Sequence, residues 1–225
     1  MKLFNAKFVL ILISLLFLSS CSNTQQAYIQ NVKMYLDSDV NVTVSSDDVK
    51  RSTVDLIYVK IGERPRATMA LAFIENGQYK WLSQDKAMFI TESGRLVRTV
   101  GLPKNLLYIS NISNDPLKSP SANSSNAEWD RIIDTDFDDF GAQLSSQTSI
   151  NTNELLLVQQ QEFLTSKRIE RVRYQSALNG DDAWTNTFWF HQESGQLLKS
   201  SQKASSQSEV IVITYISRAI RLLEE

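Results

Sequence analysis

Cysteine is all but absent from this chain of 225 residues: Cys21 stands alone, so no internal disulfide can form. Histidine is as scarce, and His191 by itself cannot build a zinc site on paired imidazoles. Seven glycines and four prolines leave no Gly-rich phosphate loop, and no Gly-x-Ser-x-Gly elbow occurs. Basic residues are in slight deficit, 23 Lys and Arg against 25 Asp and Glu, which argues against a nucleic-acid partner. Long apolar runs are missing too. Residues 8–18 form the leader's run, broken only by Ser14, and fall short of the ~20 that a membrane-spanning helix needs.

That run has the makeup of a secretory leader: Lys2 and Lys7 open it, and Leu18-Ser19-Ser20-Cys21 closes it. The tetrapeptide resembles the lipobox of bacterial lipoproteins. Leu18 sits at minus three, and Ser19 and Ser20 are small enough to let extended backbone enter a peptidase groove. The resemblance implies a lipoprotein signal peptide over residues 1–20, a diacylglyceryl group on the Cys21 sulfur, cleavage before it, and acylation of the new amine. An ordinary signal peptide with a chance cysteine is the plainer alternative. Ser22 stands where an Asp would resemble an inner-membrane retention signal, so the expected place is the outer membrane, with the domain facing the periplasm. No cofactor is expected beyond the covalent lipid on Cys21. Without its leader the chain keeps 21 basic and 25 acidic residues, a net charge of −4, which disfavours docking on anionic headgroups. Membrane contact then falls to the acyl chains, at ~0.8 kcal/mol per buried methylene.

Residues 21–26 read as a lipidated tether, and 27–225 as a single β-rich domain large enough for one core. Tyr28, Ile29, Val32, Tyr35 and Leu36 make one stripe of an amphipathic helix. Ser45, with Asp48 three residues on, predicts a capped helical turn. Extended segments follow at 56–61, 67–75, 78–82, 87–91 and 96–100, with corners at Asn76-Gly77 and Ser93-Gly94. Residues 110–126, rich in Ser, Asn and Pro, read as an exposed connection. Further strands are expected at 129–135, 142–150, 154–160, 168–177, 184–190, 196–202 and 210–216, and Ser217 is placed to cap a terminal helix.

The two halves share a pattern. Asn76-Gly77 and Asn179-Gly180 each precede a Trp (Trp81 and Trp184) by five positions from the Asn, and each block ends in Glu-Ser-Gly, at 92–94 and 193–195. The residues after each Gly, 95–99 and 196–200, then match class for class. Two pseudo-repeats, about 54–103 and 154–202, would explain this, and so would convergent hairpin chemistry. Both lead to a mainly β fold: a large curved antiparallel meander sheet or partly closed barrel with an N-terminal amphipathic helix.

Chemistry-bearing motifs are few. Asp134, Asp136 and Asp138 open like a calcium loop, but Asp139 occupies the Gly position and Ser145 the position of the bidentate Glu. An acidic surface turn is the better reading, and no metal site is expected. In 184–190, Trp184, Asn186, Phe188 and Phe190 share one face, and Thr185, Thr187, Trp189 and His191 the other. Trp189 among hydroxyls, and Trp81 beside Tyr79, are the candidate glycan or partner contacts, with plain packing as the competing reading. Carboxylates are plentiful, but no spacing singles out the pair that a glycosidase needs.

Two blocks carry a wider resemblance: 77–103, GQYKWLSQDKAMFITESGRLVRTVGLP, and 184–189, WTNTFW, followed by Gly195. Both resemble the YjbF/GfcB family of lipoproteins, associated with exopolysaccharide and group 4 capsule production. The resemblance extends over nearly the whole mature chain and carries no catalytic residue across. It implies a non-enzymatic, outer-membrane-anchored accessory lipoprotein that helps assemble or export the polymer. The partners it implies are polysaccharide secretion proteins, including an outer-membrane component, with the polysaccharide itself as a further candidate. Two other classes remain open at this point: a carrier whose curved sheet encloses a hydrophobic or glycan ligand, and a polysaccharide-modifying enzyme with two carboxylates.

Overall fold

Alternating apolar residues and turn dipeptides dictate a chain of hairpins, and the computed structural model, which describes residues 41–118, 127–137, 139–178 and 180–224, consists of them. The lipobox and the helix expected over 28–36 lie outside the described residues. The first meander comprises β1 (Leu56–Ile61), β2 (Ala67–Glu75), β3 (Gln78–Leu82), β4 (Met88–Glu92) and β5 (Arg95–Val100). The second comprises β6 (Leu106–Ile109), β7 (Ala127–Thr135), β8 (Ala142–Val158), β9 (Gln161–Ser176), β10 (Gly180–His191), β11 (Leu197–Gln202) and β12 (Ile211–Thr214). At the β2–β3 corner Asn76 and Gly77 both have positive φ, 52° and 78°, as a tight hairpin of this hand requires.

All twelve strands join one antiparallel sheet in the order β5-β4-β3-β2-β1-β12-β11-β10-β9-β8-β7-β6. The terminal strands therefore pair with each other, Tyr58 opposite Thr214, and the break in the sheet falls mid-chain between β5 and β6. Those two strands lie side by side across the break, and the Leu106 amide donates to Thr99 Oγ1 at 2.9 Å. The result is a nearly closed, barrel-like sheet, as the hairpin series predicted. Helix α1 (Ser46–Arg51) starts as expected, with the Ser45 hydroxyl accepting from the Asp48 amide at 3.1 Å. Helix α2 (Ile216–Arg221) closes the described chain.

Four local expectations are corrected. Segments 142–150 and 154–160 are one strand, β8, with a register shift between Ile150 and Asn153; its turn is Gln159-Gln160, both at positive φ without a Gly or Asn to announce it. The connection read over 110–126 is not wholly exposed, since Asp115 and Leu117 on two 3-10 turns are buried. Ser217 does not cap α2 but lies within it, its Oγ accepting from the Leu56 amide at 2.8 Å. The two similar sequence blocks also differ in topology. Asn76-Gly77 to Glu92-Ser93-Gly94 spans two strands, β3 and β4, whereas the matching stretch after residue 179 is the single strand β10. Shared turn chemistry is enough to account for the likeness.

Among the described residues, inward-facing side chains gather into apolar clusters, of which two bear on the site. One gathers Ile57, Met69, Trp81, Phe89, Leu96, Phe188, Leu197 and Ile213 with their neighbours; the other joins Leu106, Ile133, Leu144, Val172 and Tyr174. Gly94 is where backbone and packing demands meet. Its φ is +86°, and a Cβ there would lie 2.1 Å from Leu197 Cδ2.

Candidate functional site

Strands that alternate cleanly place a side chain inward whether it is apolar or not. On β9 the inward series includes Arg168, Glu170, Val172 and Tyr174, all buried. Glu170 is register-paired with Asn186 of β10 and Thr148 of β8. Arg95 arrives from β5, Arg131 from β7 and Gln202 from β11. Only Asp115 is delivered by an irregular segment, between the 3-10 turns Ile112–Asn114 and Pro116–Lys118.

These groups form one ion network. The Arg95 guanidinium grips Asp115 with two bonds, Nε to Oδ2 at 2.9 Å and Nη2 to Oδ1 at 3.1 Å, and its Nη1 donates to Glu170 Oε2 at 2.6 Å. Asn186 Nδ2 donates to the same Glu170 oxygen at 2.8 Å, while Arg131 Nη1 lies 3.3 Å from Oε1. Arg131 Nη1 also donates to Ser146 Oγ at 2.9 Å. The Trp129 ring takes both cations, with Arg95 at 4.7 Å and Arg131 at 4.1 Å from its centroid. Gln202 ties the site to the β4–β5 corner, accepting from the Leu96 amide at 3.0 Å and donating to the Gly94 carbonyl at 2.8 Å.

Burial would raise the Glu170 pKa, but the Arg95 and Arg131 guanidiniums outweigh it and hold the carboxyl at about 2. Burial works against the Arg95 charge as well, and is more than offset by Asp115 and Glu170, which raise its pKa. Arg131 is pushed down to about 10 by burial, with Glu170 opposing, and stays cationic at neutral pH. Within this network two guanidiniums and two carboxylates thus balance. A cavity of about 20 Å³ lies against Arg95, Arg131, Asn186, Gln202 and Lys203, and a second of about 10 Å³ lies beside Phe137 and Asp139. The first has room for one water molecule. Arg131 Nε, which is buried, has no hydrogen-bond partner among the described residues.

The residues singled out from sequence fare differently. Cys21, Leu18, Ser19 and Ser20 lie outside the described residues. Trp81 is a core residue at 2% exposure, its indole N–H donated to Thr91 Oγ1 at 3.0 Å and its ring stacked on Tyr79, so it presents no face to a glycan or partner. Trp189 is half-buried on the outer face, with Lys167 and Lys199 at 5.8 and 5.1 Å from its ring centroid and its indole N–H donated to Glu154. In the would-be calcium loop Asp134 accepts from the Gly141 amide and Asp136 from the Asn105 amide, Asp138 lies outside the described residues, and Asp139, at the Gly position, accepts from the Tyr174 hydroxyl. Among the described residues no group of three or more His, Cys, Asp or Glu is arranged to hold a metal. The ion network itself went unread, although Asn186 on the face of Trp184, Phe188 and Phe190 was its visible trace.

The order of these elements and this interior can be set against known proteins. A family model described as group 4 capsule polysaccharide lipoprotein gfcB, YjbF matches residues 29–216. The chain belongs to this family. One relative of the YjbF/GfcB lipoproteins, the uncharacterized lipoprotein GfcB of Escherichia coli (strain K12), is 31% identical over 206 residues, 91% of this chain and 95% of the relative. The uncharacterized lipoprotein YjbF of the same organism is 29% identical over 212 residues, 93% of this chain and 97% of the relative. The crystal structure of the hypothetical lipoprotein YmcC from Escherichia coli (K12) matches with a TM-score of 0.69 at 30% identity, covering 77% of this chain and 88% of that one. The barrel-like sheet is therefore a fold that a solved lipoprotein shares.

Proposed function

We propose that the chain is lipidated on Cys21, anchored in the outer membrane with its sheet in the periplasm, and acts as a non-enzymatic accessory component of exopolysaccharide or group 4 capsule assembly or export. Secretion proteins, including an outer-membrane component, are its partners, and outward Trp189 is the aromatic they or the polymer would meet. The family match over 29–216 and the Leu18-Ser19-Ser20-Cys21 lipobox support the placement.

The observation that carries the accessory role is that the interior acids are occupied. Glu170 is held ionised by two guanidiniums and cannot donate a proton at neutral pH, and both oxygens of Asp115 are engaged by Arg95. That disfavours a two-carboxylate glycosidase. Among the described residues the cavities at this network and beside Phe137 hold about 20 and 10 Å³, against several hundred Å³ for an ordinary ligand pocket, which disfavours a carrier. Deleting the gene should lower extracellular polymer under inducing conditions, and Cys21→Ala should yield a folded protein that leaves the membrane fraction and does not restore the polymer. Unchanged polymer in the deletion strain would refute the role, and a Cys21→Ala product still in the outer membrane would refute the anchor.

A further inference from the structure

We infer that the Arg95–Asp115 pair is a self-occupied binding site, in which the Asp115 carboxylate holds the place of an acidic sugar and segment 112–118 is a plug that such a sugar displaces. The ligand class, a uronate residue, rests on the polysaccharide reading above; the displaceable plug rests on geometry alone.

The first argument is where each charge comes from. Arg95, Arg131 and Glu170 sit on strands locked in ladders, whereas Asp115 sits between two 3-10 turns. The backbone bonds of that segment to described residues are local: Asn114 to Asn111, Asp115 to Ile112 and Lys118 to Asp115. It belongs to no strand ladder, so it can leave without breaking one. Among the contacts that hold it are the Arg95 fork, Leu117 in the apolar core, a partly exposed Lys118–Glu92 ion pair at 2.5 Å, and packing of the Pro116–Lys118 turn on β7.

Charge balance and lining give the second argument. With Asp115 withdrawn, two guanidiniums face one carboxylate, and the site is short of one negative charge. A bidentate Arg fork accepts any carboxylate of matching geometry. Beside it stand groups that suit the rest of a sugar: the Trp129 ring, against which Arg95 packs, and Lys203, which lines the 20 Å³ cavity. Arg131 lines the same cavity, and its buried Nε is a donor with no hydrogen-bond partner among the described residues. Departure of Asp115 and the Leu117 side chain would enlarge this space beyond its present single-water size.

The test uses the purified full chain with glucuronate as probe, glucose as the uncharged analogue and acetate as the bare carboxylate. Millimolar glucuronate should change tryptophan fluorescence saturably and raise amide exchange in 112–118 of the unaltered protein. Loosening the plug should tighten binding: several-fold for Lys118→Ala, which removes only a surface ion pair, and about tenfold for Leu117→Ala. Arg95→Lys, which keeps the charge and loses the fork, should abolish the response. The inference is overturned if the unaltered protein and folded Lys118→Ala both ignore glucuronate, or if glucose or acetate matches it. A strain that loses polymer on deletion while its protein ignores glucuronate keeps the export role and overturns this site.

Discussion

Replacing Glu170 by Gln keeps its shape and removes the one negative charge that two buried guanidiniums share. In the native protein Glu170 is fully buried and engaged by Arg95, Arg131 and Asn186. The variant leaves Arg131 with no carboxylate partner inside the sheet and turns an acceptor toward a donor. Removing one member of a buried ion pair costs about 3–5 kcal/mol. For a domain of this size each kcal/mol lowers Tm by about 2–4 °C, so the melt should fall by roughly 10 °C. Adding Arg131→Met removes the stranded cation and leaves the neutral Arg95–Asp115 pair, so the double variant should recover at least half of the loss. The pH dependence has a definite sign. Glu170 is held at about 2, below the usual carboxyl value of 4.5, so its stabilisation is complete above that usual value and is lost as pH falls toward 2. The unaltered protein should therefore lose stability across this window more steeply than Glu170→Gln. Calorimetry at neutral pH that puts Glu170→Gln within about 2 °C of the unaltered protein would refute the reasoning.

Glycine replacements should separate backbone strain from steric conflict. Gly77→Ala meets only its positive φ, with open space around it, and should cost about 1 kcal/mol, whereas Gly94→Ala adds a clash with Leu197 and should cost clearly more by urea titration. Ser217→Ala strips the Leu56 amide of its acceptor and should cost about 1–3 kcal/mol, seen as faster amide exchange at Leu56 while α2 persists by circular dichroism.

The strands were legible because apolar segments are punctuated by corners that carry Asn-Gly or Ser-Gly, and on β7 and β10 burial also alternates with period two. β1, β2 and β3 fall where the apolar segments and their turn dipeptides put them, although their burial runs in blocks. Where a corner uses other residues, the signal vanishes: Gln159 and Gln160 both take positive φ, and the Gln159 side chain donates to Val44 O and the Tyr58 hydroxyl, over 100 residues away in sequence. The interior network was hidden for a related reason. Arg95 and Glu170 are 75 residues apart, and a charged residue on a strand reads as solvent-facing until closure of the sheet decides which face is inside. Asp115 was harder still, set among Ser, Asn and Pro residues whose composition predicts exposure. Trp81 and Trp189 show the limit from the other side, since aromatic identity alone does not tell a packed ring from a presented one.

Pairing of the first and last strands has a consequence for how the protein is made. Tyr58 meets Thr214 only after some 150 intervening residues have emerged, so the ring cannot shut while the chain is still being delivered. Late closure of this kind leaves both edges of the sheet unpaired until the whole chain is available to fold.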